Sequence, residues 1–220
     1  MRSNAVSEVV GALMVLVVIM AVAGILYVMS YPVILSGQEN VKFRNAFFDL
    51  FELREKIERV KSGLEIKSTY RIQFYDSTVE FKNEPVIRID NLNLTVASIR
   101  ISGSGWTLIY ENGAIIESGR YERMLSAPNI NYNGETLYLP IIVLKGNFSA
   151  GGRGNFELHL SLKKSYSLTG NGSIVLYSKN INAWKQFFDE INVEYNFYGD
   201  RIELQNLSYY AVVYEVSLNE

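Results

Sequence analysis

The hydropathy pattern divides the chain into two regimes. From Val9 to Met29 no side chain is charged and none is Asn, Gln or Pro. A hydrocarbon core about 30 Å thick is crossed by about 20 apolar residues at a rise of about 1.5 Å each, so this stretch predicts a membrane-spanning helix. Pro32 then removes a backbone donor, with Gly24 and Gly37 as further soft points. The helix either continues past Pro32 with a kink or ends near Met29, with a second helix starting after Gly37. From Gln38 to Lys61 the period is helical: Phe43, Phe47, Leu50, Ile57 and Val60 share a face with Ala46, and Glu52/Lys56 and Glu55/Arg59 form i,i+4 pairs opposite. Ser62-Gly63 ends that segment.

Beyond Leu64 the period falls to two. Strands are predicted over 70–75, 78–82, 86–89, 94–101, 106–110, 136–144, 156–162 and 174–177, then 193–198, 201–204 and 209–216. Asn112-Gly113 is the strongest hairpin cue, since both residues tolerate positive φ, and Asn133-Gly134 and Asn171-Gly172 repeat it. One stretch, 180–192, is helical, with Trp184, Phe187, Phe188 and Ile191 on one face behind Asn182 as N-cap. The expectation is an α+β chain: a long N-terminal hydrophobic helix, then a mostly antiparallel β-sandwich or open barrel with one short helix. Its domains are 1–37, leader and transmembrane helix; 38–63, amphipathic continuation; and 64–220, β-rich head.

The charge balance, 21 basic against 23 acidic residues, lacks the basic excess that nucleic acid would call for, so no nucleic-acid partner is expected. With no cysteine, disulfide and thiol chemistry are excluded. The 15 Tyr, 11 Phe and 2 Trp read as core on half-buried strands. The single histidine, His159, alternates onto the same strand face as Glu157 and reads as an ordinary strand residue. A His-rich zinc site needs more than one histidine, and no Gly-x-Ser-x-Gly elbow is present.

The Gly-rich stretches 102–105 and 146–154 lack a Gly-Lys-Ser/Thr ending and read as loops. Asp189-Glu190 reads as solvated helix surface, and no Asp-x-Asp-x-Asp-Gly calcium loop occurs. No enzyme activity, cofactor or metal is expected. Four triplets match the N-glycan acceptor pattern, at Asn93, Asn147, Asn171 and Asn206, with Asn147 and Asn171 expected in loops.

The edge of the apolar run is distinctive. Arg2 precedes it and a lone acid, Glu8, sits just ahead of the hydrocarbon-length stretch, where an unneutralised carboxylate is costly. Ala5 followed by Val6-Ser7-Glu8-Val9-Val10-Gly11 resembles the class III signal segment of archaeal type IV pilins and pilin-like proteins. The resemblance implies cutting between Ala5 and Val6 by a prepilin peptidase, an uncleaved helix held first by membrane lipid and then by self or other pilin-like subunits, and assembly roles for Glu8 and Gly11. It implies a structural subunit of a cell-surface filament or pseudopilus. The short end is expected inside and the head domain outside. The rival expectation is a single-pass membrane protein that never polymerises and whose outer domain binds a ligand or partner.

Overall fold

The computed structural model describes residues 2–119 and 121–219, the side chains of residues 2–9 and of Tyr75 excepted. The chain forms two compact units, 1–41 and 42–220. The boundary falls after Val41, so the amphipathic part of the first helix belongs to the β-rich unit.

That helix, α1 (Arg2–Lys61), is continuous through Pro32. Proline leaves the Val28 carbonyl without its intrahelical donor, and one turn on the Ser36 hydroxyl donates to the Val33 carbonyl at 2.9 Å. The helix stops at Gly63, whose φ of +76° is left-handed. Leu64 N–H donates to the Arg59 carbonyl (3.0 Å) and Gly63 N–H to that of Val60 (3.2 Å), the 6→1 and 5→2 pair of a Schellman ending.

The strands are β1 (Lys67–Lys82), β2 (Val86–Ile89), β3 (Leu92–Thr95), β4 (Ser98–Ser102), β5 (Thr107–Glu111), β6 (Ala114–Ser118), β7 (Arg123–Ser126), β8 (Asn131–Tyr132), β9 (Thr136–Lys145) and β10 (Ser149–Tyr177). After the short helix α2 (Ile181–Glu190) come β11 (Asn196–Phe197) and β12 (Arg201–Asn219). They form one open 12-stranded sheet ordered β7-β6-β5-β4-β1-β10-β12-β9-β8, with β2 added to β10, β3 to β2 and β11 to β12. Every pairing is antiparallel except β9–β12. The 29-residue β10 joins the two halves: β1 lies along Ser149–Ser161 and β12 along His159–Tyr177.

Apolar alternation sorts the core onto two sides. On β9, Leu137, Leu139, Ile141 and Val143 enter one cluster, while Ile142 and Leu144 enter the other. A strand covered on both faces reads as a continuous apolar run, which is how 136–144 looks in the sequence. The first cluster is closed by α2 through Ile181, Ala183, Trp184, Phe187 and Phe188. The second is closed by α1, whose Ala46, Leu50, Leu53, Ile57 and Val60 pack with Ile72, Ile99 and Leu158.

The structure corrects four local expectations. Asn171-Gly172 is no turn: it lies within β10 opposite Ser208 and Leu207. Glycine serves there because a Cβ would stand 2.1 Å from Asp90 Oδ1, which accepts the Ser173 N–H at 3.1 Å. The stretch 146–154 is a loop only to Phe148, and Gly151–Gly154 pair with β1. The predicted strand 94–101 breaks at Ala97, with φ +63°, into β3 and β4. Asn180, not Asn182, is the N-cap of α2, and its side chain is committed elsewhere.

Candidate functional site

In the first unit the observable feature is the helix surface. From Val10 to Leu35 the large apolar side chains are exposed around the whole circumference, and the most apolar 18-residue window has a mean hydropathy of 2.8 with none of it buried. A helix apolar on all sides needs apolar surroundings. The helix is long and apolar enough to cross a membrane. Tyr27 and Tyr31, one turn apart, lie with ring centroids 5.9 Å apart towards the end of this stretch. Gly11, Gly24 and Gly37 have open space where a Cβ would be. The side chains of Ala5, Val6 and Glu8, on which the processing and pairing expectations rest, lie outside the described residues.

In the second unit the polar chemistry is local and mostly structural. Glu111, 2 % exposed at the end of β5, accepts the Trp184 indole N–H at 2.6 Å on one oxygen and the Asn180 amide at 2.9 Å on the other. Burial pushes its carboxyl upward, opposed by hydrogen bonds from Ser178, Asn180 and Trp184. The next residue, Asn112, adopts φ +47° in the β5–β6 turn, accepts Ile142 N–H (2.9 Å) and donates to the Pro140 carbonyl (3.2 Å). Its side chain thus supplies β9 with the partners a further strand would have supplied. The two residues bind the hairpin to α2 and β9.

On α1, half-buried Asp49 accepts the Tyr70 hydroxyl at 3.2 Å. Its carboxyl is pushed up to about 6, chiefly by burial.

His159 shares a hydrogen bond with Thr69 (Nδ1 to Oγ1, 3.1 Å) on an exposed stretch of sheet. Its Nε2 is 3.8 Å from Glu157, a carboxylate already engaged by Arg71 at 2.9 Å. That spacing is too long for a proton relay. Asp189 is held by Lys185 and Tyr195 on the exposed side of α2, where their hydrogen bonds hold its carboxyl below the usual range.

The four acceptor asparagines are all exposed: Asn147 in the β9–β10 loop, Asn93 on β3, Asn171 on β10 and Asn206 on β12. Asn171 thus sits on a strand, not in the loop expected of it; it lies opposite Ser208, the last residue of the Asn206 triplet. An apolar pocket beside Trp184 and Asn112 is about 20 Å³, room for about one water molecule.

These features define a class: a mostly antiparallel β-rich unit following a helix apolar enough to cross a membrane. The chain belongs to the family of unknown function DUF7289, which matches residues 4–196. It is 30% identical over 220 aligned residues to an uncharacterized protein of Archaeoglobus fulgidus, covering 86% of this chain and 83% of that one. No solved structure matches it. Neither the family nor the relative names a pilin.

Of the second unit's functional-looking residues, Glu111 and Asp49 escaped the sequence, and Asn112 was legible as a turn residue but not as the side chain that bonds β9. A lone acid before an Asn-Gly turn and an acid on an amphipathic helix look like surface, and only the burial of their partners changes that.

Proposed function

We infer that the chain is a structural, non-enzymatic pilin-like subunit, anchored in the membrane through α1 with its β-rich unit outside the cell, and assembled through the same helix into a cell-surface filament. The observation that carries this reading is the apolar circumference of α1 from Val10 to Leu35, with no buried position in its most apolar window. A bilayer and a bundle of sister helices are both apolar, so the helix exchanges one for the other at modest cost. The Val6-Ser7-Glu8-Val9-Val10-Gly11 start and an archaeal relative support the same reading. Cutting by a prepilin peptidase between Ala5 and Val6 frees an α-amino group, with which Glu8 of a neighbouring copy pairs.

Mass spectrometry of the native N-terminus tests the processing step. A start at Val6 is expected, and a start at Met1 leaves a plain anchor. Electron microscopy of cells with and without the gene tests assembly, with loss of a surface filament expected on deletion. Recovery of the full chain in the soluble fraction would overturn the reading. The rival, a single-pass protein that binds a ligand and does not polymerise, is favoured by one observation: mixed aromatic and polar depressions on the β-rich unit beside Trp106 and Tyr121.

A further inference from the structure

The Gly-rich turn 102–105 does not act as an anion cradle but as a seat. Gly103 N–H donates to the Trp106 carbonyl at 3.0 Å, closing the turn between β4 and β5. A Cβ on Gly103 would stand 2.3 Å from the indole ring, so the ring rests on bare backbone. Phe43 meets it edge-on with centroids 5.7 Å apart. Trp106 is therefore held in one pose while part of its surface stays open.

That surface borders a depression of about 350 Å³ whose other walls include Glu117, Ser118, Tyr121 and Arg123. Tyr121, 78% exposed, also lines a second depression of about 500 Å³ together with Glu122, Arg123, Asn182 and Gln186. Both volumes fall in the range of about 300–1,000 Å³ common for small-molecule sites. The planar polar groups are already positioned. Arg123 donates to Glu117 at 2.7 Å across the β6–β7 pair, and Glu122 accepts the Asn182 N–H at 3.1 Å at the start of α2.

The chemistry selects a ligand class. One face of a pyranose ring is a patch of C–H bonds that stacks on an aromatic ring, and its vicinal hydroxyls match paired donors and acceptors on carboxylate, guanidinium and amide groups. Among the described lining residues Arg123 is the one cation and Glu117 already partners it, so the described walls offer no spare positive charge to a phosphorylated ligand. Among the described residues no group of three or more His, Asp and Glu side chains gathers for a metal. An apolar ligand would need a roomy apolar space, and the apolar pocket beside Trp184 holds only about 20 Å³.

We propose that Trp106 and Tyr121, with Glu117, Arg123, Asn182 and Gln186, form a binding site for an uncharged saccharide chain. The site stands on the β-rich unit alone and holds whether or not the chain polymerises. Arg120 lies outside the described residues.

The test uses the full chain in a detergent without a sugar headgroup, titrated with cello-, manno- and chito-oligosaccharides while tryptophan emission is followed. Trp184 is 1% exposed, so a ligand-induced change reports on Trp106, the other of the two tryptophans. A saturable change with at least one oligosaccharide is expected, weakened about tenfold or more in Tyr121→Ala and Arg123→Ala. Tyr198→Ala, an exposed aromatic on another edge, should bind as the parent does, and near-ultraviolet circular dichroism checks that each variant is folded. No saturable response to any of the three series, or equal affinity in folded Tyr121→Ala, overturns the proposal. Either result leaves the membrane reading of α1 untouched, since N-terminal processing and membrane extraction report on that separately.

Discussion

Replacing Asp49 with Asn should flatten one component of the pH dependence of stability in the β-rich unit. Asp49 sits half-buried on α1, and its carboxyl is pushed up from 3.8 to about 6, first by burial and further by nearby Glu52. Hydrogen bonds from the Tyr70 hydroxyl and the Gln73 backbone pull the other way. An acid whose folded value lies above its unfolded one holds its proton more tightly in the native state. Its stabilisation is therefore fully present below the unfolded value and is lost as pH rises through about 6. A shift of about two units is worth ~3 kcal/mol at about 1.4 kcal/mol per unit. Partial solvent access to the carboxylate reduces this to about 1–1.5 kcal/mol. The assay is urea unfolding followed by circular dichroism from pH 4 to 7.5 on parent and Asp49→Asn chains. Asp76, Glu80 and Asp189, held low by Arg153, by Lys82, and by Tyr195 and Lys185 respectively, impose the opposite slope on both proteins and cancel in the difference. The parent-minus-variant stability should fall by about 1–1.5 kcal/mol across that range. A flat or rising difference would refute the argument that burial controls this carboxyl.

Three further outcomes are expected. Glu111→Ala strips the acceptor from two buried donors, the Trp184 indole and the Asn180 amide, and should cost about 2–4 kcal/mol in denaturant unfolding. Glu111→Gln keeps an acceptor for the indole and should cost clearly less. Leu53→Ala removes a fully buried side chain between α1 and the sheet and should cost about 2–5 kcal/mol, read as a lower urea midpoint at unchanged slope. Asn112→Ala loses both side-chain bonds to β9 and a residue suited to φ +47°; a loss of about 1–3 kcal/mol is expected, with faster amide exchange at Ile142 as the local signature.

Much of the fold was legible because its signals are local. The helical face of 38–61 follows from period alone, and Asn112-Gly113 makes the turn its dipeptide advertises, at φ +47° and +82°. Where local signals failed, a distant residue had overruled them. Asn171-Gly172 carries the same turn chemistry, yet Asp90 and the register of β12 hold it in a strand. Asn180 caps α2 without using its side chain, because Glu111, distant in sequence, offers a buried carboxylate instead. Glu111 could not be found from the sequence for the same reason: the indole and amide that surround it come from α2 and the residue before it.

Taken alone, the order of residues determined a helix apolar enough to cross a membrane followed by a mostly antiparallel β-rich unit with one short helix. Bilayer thickness and the periods of helix and strand act on neighbouring residues and need no fold to be read. The tertiary structure alone decided that α1 runs unbroken past Pro32, that β10 joins the two halves of the sheet, that β9 lies parallel to β12, and that Trp106 rests on Gly103 beside Tyr121. Those outcomes depend on which surfaces meet across the chain, and burial and pairing energies exist only once they have met.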